Sequence, residues 1–439
     1  MKPDTFTLGQ NRQISIGGVT LAYLAEKYGT PLYVLDYETI VRRIRDYKDA
    51  LNELCSPGQA FYAGKAFLCQ AMAGLLDQHQ MGLDVVSGGE LYTALQAGFT
   101  PERIMFHGNV KTREEIAYAL TAQVGHIVCD SMDELERIEE EAARLGCLAP
   151  VLLRITPGIE AHTHEFIRTG QFDSKFGFGL ADGLADRAVE RALDLEHVML
   201  KGLHAHIGSQ ILEEDPFVMN TETLLRYGLD WNRSRGWWPE VLNIGGGFGI
   251  RYQPGDHPPR LTTVVSAINE LLLHLTPKEL PVPRIFMEPG RSIIAEAGVT
   301  LYRVLVKKSV PGGKHYLAVD GGMGDNIRPA LYQAEYRAAI DGKVDRADME
   351  TVTVAGRYCE TGDVLMKDIT LPVAAVGDLL VVFDTGAYNY SMASNYNRVP
   401  RPAVVLVHQG QDYLWVARES YQDLIRADNP YAMTAAEHR

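Results

Sequence analysis

The sequence predicts an α/β plus all-β protein: a (β/α)8 barrel of the TIM type, joined to a second domain of β-barrel or β-sandwich character. Three observations carry that expectation. Between residues 60 and 290 there are eight short apolar runs, each followed by a helical pattern. Parallel strands need long crossover connections, which helices supply, so this alternation describes a closed parallel sheet with an outer ring of helices. Beyond about residue 295 the helical period fades and short β-rich runs divided by glycine and proline turns replace it. Finally, the residues with chemical potential stand directly behind the apolar runs, at the strand ends where such a barrel carries its active site.

In chain order the runs are Ala60–Ala63, Leu83–Val86, Ile104–His107, His126–Cys129, Val151–Ile155, Leu200–His206, Val241–Ile244 and Arg284–Met287. Helical periodicity marks Glu90–Ala97, Thr112–Leu120, Met132–Leu145 and Thr262–Leu275 between them. The barrel is placed over residues 36–290. The second domain takes residues 1–35 and 291–439, with strands expected at Val299–Val306, His315–Val319, Thr351–Ala355, Leu379–Phe383, Ala403–Val407 and Tyr413–Val416. Turn signals such as Pro311-Gly312-Gly313 and Gly377-Asp378 separate these strands. Pro31–Leu35 precedes the first barrel run and is expected to pair with the second domain. The stretch 157–180, rich in glycine and polar residues, is read as a mobile lid.

Bulk properties narrow the function. At 439 residues the chain exceeds one ordinary core, and 46% hydrophobic with 22% charged residues describes a globular enzyme-sized protein. A formal charge of −14 repels phosphate, which argues against nucleic acid or an anionic membrane as partner and requires any phosphate ligand to be caught locally. No apolar stretch of about 18 residues occurs, and Met1-Lys2-Pro3-Asp4 lacks the apolar core of a signal peptide. The five cysteines, Cys55, Cys69, Cys129, Cys147 and Cys359, are odd in number and show no Cys-x-x-Cys spacing. That disfavours disulfides and structural zinc and points to the cytoplasm.

Lys65, in Phe61-Tyr62-Ala63-Gly64-Lys65-Ala66, stands where the first strand gives way to a helix, well placed to form a Schiff base. Glu288, closing the eighth run in Glu288-Pro289-Gly290-Arg291, can hold a pyridine nitrogen protonated through a charge-assisted hydrogen bond. Gly245-Gly246-Gly247 lets backbone N–H groups approach a phosphate, and with Gly290 and Arg291 it forms a phosphate site between the seventh and eighth strands. His206 offers a flat ring for stacking. Amine, ring, phosphate cradle and carboxylate are the parts that pyridoxal phosphate requires, with the Lys65 amine expected to have a lowered pKa in a dry pocket or near positive charge. His204 and His206 alternate, so both are expected on one face of the strand, an arrangement that also suits a metal. A metal-dependent barrel hydrolase with His107 or Asp84 as third ligand is therefore the competing reading, although Ile207-Gly208-Ser209 continues as a phosphate-type loop. Cys359 reads locally as a core thiol.

With these residues assembled, the chain resembles the fold-type III pyridoxal-phosphate-dependent decarboxylases, and among them the branch acting on meso-diaminopimelate. The likeness runs through Tyr62-Ala63-Gly64-Lys65-Ala66, Gly82 to Glu90, His107-Gly108-Asn109-Val110-Lys111, Thr163-His164-Glu165, Lys175-Phe176-Gly177 and Ser394-Asn395-Tyr396-Asn397. It implies pyridoxal 5'-phosphate as cofactor, no metal, and a head-to-tail homodimer whose sites borrow residues from each partner. Lys65 would carry the cofactor, with Asp84, His206, Ser209, Gly246, Gly247, Glu288, Gly290, Arg291 and Tyr388 around it. Arg291, Arg328, Tyr332, Glu360 and Tyr388 would bind substrate, while Cys359 would protonate the reacting carbon from across the dimer interface. The family usually has serine where this chain has Thr361, a change that keeps the hydroxyl. Arg328 and Glu360 are the pair expected for a substrate whose far end carries both a carboxylate and an ammonium. Decarboxylases of carrier-linked or siderophore-derived amino acids and single-barrel cofactor carriers share parts of the pattern; the β domain with Cys359, Glu360 and Tyr388 argues against mere carriage.

Overall fold

Along a barrel strand successive residues face the lumen and the helix layer in turn. Here that alternation separates an oily plug from a polar floor. The computed structural model describes residues 2–159 and 175–430, so most of the 157–180 stretch read as a lid lies outside the described residues.

Eight parallel strands form the barrel: Gln59–Ala63, Gly82–Val85, Ile104–Phe106, His126–Cys129, Ala149–Thr156, Val198–His204, Val241–Asn243 and Arg284–Met287. Each pairs with the next, and the eighth closes on the first with Met287 opposite Ala60. Helices follow every strand, from Gln70–Gln78 after the first to the four-residue turn Arg291–Ile294 after the eighth. Local sequence starts several of them: Ser87, Thr112 and Ser131 each accept a hydrogen bond from the backbone N–H three residues on, and Glu115 completes a capping box with Thr112.

Inside the barrel Phe61, Met105, Val128, Leu152, Val241 and Phe286 form a separate buried cluster, with the Phe61 and Phe286 ring centroids 4.9 Å apart. Gly82 makes room for it, because a Cβ there would lie 2.5 Å from the Phe61 ring. Burial of each such side chain is worth roughly 1.5–3 kcal/mol. Two residues further along the same strands come His107, Asp130, Arg154, Asn243 and Glu288, all buried, and the same step leads from Gly82 to Asp84 and from Gly202 to His204. One strand period thus converts packing surface into chemistry.

The second sheet runs in the order Val364–Pro372, Met349–Ala355, His315–Val319, Gly298–Ser309, Leu32–Asp36, Ala403–His408, Gln411–Val416, with Leu379–Phe383 also pairing with Gly298–Ser309. Leu32–Asp36 inserts antiparallel to Gly298–Ser309 and parallel to Ala403–His408. Its Leu32 and Val34 pack into a core on one face while Tyr33 and Leu35 join the barrel cluster on the other. Burial on both faces explains why this strand reads as a continuous apolar run. Val364–Pro372, absent from the sequence expectation, carries Lys367 and Asp368 at a break in register, with Asp368 at φ 48°, so the alternation that marks a strand is interrupted. Arg328–Tyr332 is a short helix with Pro329 in its first turn.

Candidate active site

Strand one ends in a 3-10 turn, Gly64–Ala66, that turns Lys65 out over the barrel mouth. Gly64 is confined there, since a Cβ would sit 2.9 Å from the Asp84 carbonyl oxygen. Lys65, Asp84, His206, Ser209, Gly246, Gly247, Glu288, Gly290, Arg291 and Tyr388 line one cavity, with Ala63 and Phe248. All ten residues that the sequence assigned to a cofactor thus meet in a single place.

Glu288 anchors one end. Its Oε1 accepts from Asn243 Nδ2 at 2.7 Å and lies 2.7 Å from His107 Nε2, while Oε2 lies 3.2 Å from His204 Nε2. Burial alone would favour the neutral acid, but the two histidines beside it override this and hold the carboxyl well below the usual range. The other end is the glycine loop, where Gly245 and Gly247 have φ of 71° and 102°, a region L side chains avoid. At Gly246 a Cβ would fall 2.1 Å from the Glu288 carbonyl oxygen, so strands seven and eight touch there as backbones. Arg291 donates to Ser209 Oγ at 3.0 Å and to Tyr252 Oη at 2.8 Å, and its buried Nε has no partner among the described residues. A carboxylate at one end and a guanidinium with glycine N–H groups at the other fit a ring nitrogen and a phosphate, so the residues present match pyridoxal phosphate.

Burial drives the His206 imidazole well below its ordinary pKa, with Lys65 adding to the effect, so the ring is neutral and suited to stacking. Lys65 departs from expectation. Burial does lower its pKa, but Tyr388, Asp84 and Glu288 oppose this and the net shift is upward. The lowered amine expected from a dry pocket is therefore corrected: Tyr388 and two carboxylates facing the ammonium together outweigh its desolvation. Asp84 is pushed up to about 6 by burial, against the pull of His107. An acid whose folded pKa exceeds its unfolded value makes stability fall as pH rises between the two. In the cofactor-free protein, Asp84→Asn is expected to remove that fall and raise the melting temperature at pH 8 relative to pH 4; an unchanged pH profile would contradict the assignment.

The second sheet contributes Tyr388, whose backbone N–H donates to the Ala66 carbonyl at 2.8 Å. Two cations stand over its ring, Arg291 at 4.9 Å and Arg328 at 5.6 Å from the centroid. Arg328 also packs 5.2 Å from the Tyr332 ring and donates to Tyr336 Oη at 3.0 Å. Arg328 and Tyr332 thus border the cavity through Tyr388. Cys359 and Glu360 do not line it. Both are exposed on the turn after Met349–Ala355, where the Cys359 N–H donates to Asn397 Oδ1 at 3.1 Å and Tyr396 Oη donates to Glu360. Beneath them Asp363 accepts from the N–H groups of Met323 and Tyr358, both at 2.7 Å, pinning the turn.

The expectation that His204 and His206 share a strand face is also corrected. The strand ends at His204, and His206 lies in the following loop with Nδ1 3.3 Å from the Gly246 N–H. The set with metal-ligand spacing among the described residues is His107, His204 and Glu288, without His206. Residues that sequence reasoning left out are Asn243, Tyr252 and the buried Asp130–Arg154 pair at 3.4 Å. The signal for Asn243, Asp130 and Arg154 was present: each stands two positions beyond an inward-facing apolar residue.

Fold and site define a barrel enzyme built to carry pyridoxal phosphate. The family model described as "Pyridoxal-dependent decarboxylase, pyridoxal binding domain" matches residues 37–295, more than half of the chain. The chain belongs to this family, whose cofactor is pyridoxal 5'-phosphate. Within it the similarity falls on one branch. A diaminopimelate decarboxylase of Bacillus subtilis (strain 168) is 50% identical over 96% of both chains, and one of Staphylococcus aureus (strain COL) is 43% identical over 97% of this chain and 99% of its own. Among solved structures, a diaminopimelate decarboxylase from M. jannaschii in co-complex with L-lysine superposes with a TM-score of 0.91 at 37% identity, covering 98% of this chain and 99% of that one. None of the helices among the described residues is long and apolar enough to cross a membrane.

Proposed function

We propose that this chain decarboxylates meso-2,6-diaminopimelate at one α-carbon, releasing carbon dioxide and L-lysine. The observation that carries the reading is the single cavity joining Lys65, an ionised Glu288 and the glycine–Arg291 cradle, in a chain that matches diaminopimelate decarboxylases over nearly its whole length. When bound, pyridoxal phosphate supplies the electron sink for the charge left at the α-carbon. Lys65 would provide the amine that attaches it. Glu288 keeps a negative charge against the ring nitrogen. His206 would offer its ring to the cofactor, and Ser209, Gly246, Gly247, Gly290 and Arg291 would hold the phosphate together with Tyr388.

The far end of the substrate carries an ammonium and a carboxylate, and leaving either buried and unpaired would cost several kcal/mol. Arg328 and Tyr332 suit the carboxylate and Glu360 the ammonium. The exposure of Cys359 and Glu360, away from the cavity of their own chain, supports a homodimer in which each turn completes the partner's site. Cys359 would there supply the proton that replaces carbon dioxide. Assay of the purified protein with meso-diaminopimelate tests the activity, and lysine release is the expected result. Consumption of ornithine or a carrier-linked amino acid without lysine formation would overturn the substrate. Shared sites have their own test. A Lys65→Ala protein mixed with a Cys359→Ala protein is expected to regain up to about a quarter of wild-type activity, since statistical exchange leaves half the dimers mixed, each with one intact site. No recovery despite proven subunit exchange would remove the dimer arrangement.

A further inference from the structure

We infer that His107, His204 and Asn243 are positioning residues that keep Glu288 a carboxylate and leave it one free acceptor direction for the ring nitrogen of pyridoxal phosphate. The inference rests on the proposed function and extends it to residues that touch Glu288 from other strands.

The geometry is a cage of three polar side chains drawn from strands three, six and seven around a carboxylate closing strand eight: Asn243 and His204 hydrogen-bond to it, and His107 stands against it as an ion-pair contact. His107 Nε2 and Asn243 Nδ2 each stand 2.7 Å from Oε1, and His204 Nε2 stands 3.2 Å from Oε2. The imidazole rings meet edge to face, with centroids 4.9 Å apart at 69°. An ionised carboxylate has about four acceptor sites. Asn243 and His204 take two by hydrogen bonds and His107 faces a third, while Glu288 still lines the cavity. Burial draws His204 down to about 4, so near neutral pH it donates as an uncharged imidazole and adds no positive charge to the site. Asn243 does double duty: its Oδ1 accepts the Gly245 N–H at 2.9 Å, so one side chain ties the ring end of the site to the phosphate loop.

Without the cage, burial would decide the charge of Glu288. A buried carboxyl deprived of hydrogen bonds becomes the neutral acid, which can no longer hold a proton on a facing ring nitrogen. Other charged groups face the same space from the remaining strands. Lys65 from strand one and Arg154 from strand five favour the carboxylate, Asp84 from strand two opposes it, and His206 is neutral. They act at longer range than the three direct contacts, so loss of one contact is expected to move the titration.

The test compares His107→Leu, which removes the contact, with His107→Gln, which restores an N–H. Two readouts are taken across pH: visible absorption of the holoprotein and thermal melting of the apoprotein. A depressed carboxyl contributes stability that is lost as pH falls through its folded value. In the leucine variant the acid-side transition of both readouts is expected to move up by about one pH unit or more, with the glutamine variant returning toward wild type. A leucine transition coincident with wild type, or a glutamine variant indistinguishable from leucine, overturns the cage. If His107→Leu does not fold, Asn243→Ala, which keeps both imidazoles, must shift the same transition in the same direction or the inference falls. Borohydride reduction of the wild-type holoprotein separates the two levels. Absence of an adduct at Lys65 removes the functional reading and the cage together, whereas an adduct with an unmoved transition removes the cage alone.

Discussion

Lys65→Ala is expected to abolish covalent retention of the cofactor and to lower turnover by about 10²- to 10⁴-fold, the range for deleting a positioned catalytic side chain. The magnitude is large because attachment of the cofactor depends on this side chain and no second amine lines the cavity among the described residues. Lys65→Arg separates charge from nucleophilicity. It keeps a cation before Asp84 and Glu288 but cannot form the imine, so it is expected to be as inactive as alanine while the apoprotein stays as stable as wild type. Peptide mapping of the borohydride-reduced protein checks the assignment directly. An adduct on another lysine would undo the roles proposed for the whole cavity.

The second large effect concerns stability. Lys111 and Glu134 form a salt bridge of 2.7 Å between side chains that are 1% and 0% exposed. The ammonium also donates to the carbonyls of Gly108 and Val128, both at 2.7 Å. Glu134→Leu leaves that ammonium buried without its counter-charge, and the expected cost is about 3–5 kcal/mol, read as a lower urea midpoint at unchanged slope. Because the same lysine ties down the loop that begins at His107, cofactor retention should weaken as well. The double replacement Lys111→Met with Glu134→Leu should recover much of the stability, since replacing both partners by apolar groups removes the unpaired charge. A single variant as stable as wild type would show that the two carbonyls suffice for Lys111.

Different residues were legible to different degrees. The eight strands and the sites behind them could be read because the signals are local: an apolar run, a helical period, a glycine triplet, a lysine at a strand end. Phe61, Val241 and Phe286 face one way along their strands whatever else the chain does. Val364–Pro372 escaped because a register shift breaks its alternation, and periodicity carries no information where the period fails. The direction of the Lys65 shift was misjudged for a related reason. Its pKa depends on Tyr388, Asp84 and Glu288, which lie 19 to 323 positions away in the chain, and no local rule weighs their fields against burial.

What the amino-acid order determined by itself is the barrel and the inventory of an amine, a carboxylate, a flat ring and a phosphate cradle. Each follows from short-range sterics and from the two-residue period of a strand. Only the tertiary structure decided which of these groups touch. Closure of the sheet brought strands three, six and seven against Glu288, and the second domain brought Tyr388 against Arg291 and Arg328 while leaving Cys359 and Glu360 exposed outside the cavity. Contacts of that kind join residues far apart in the chain, and the charge state of a buried group is set by such neighbours rather than by its own segment.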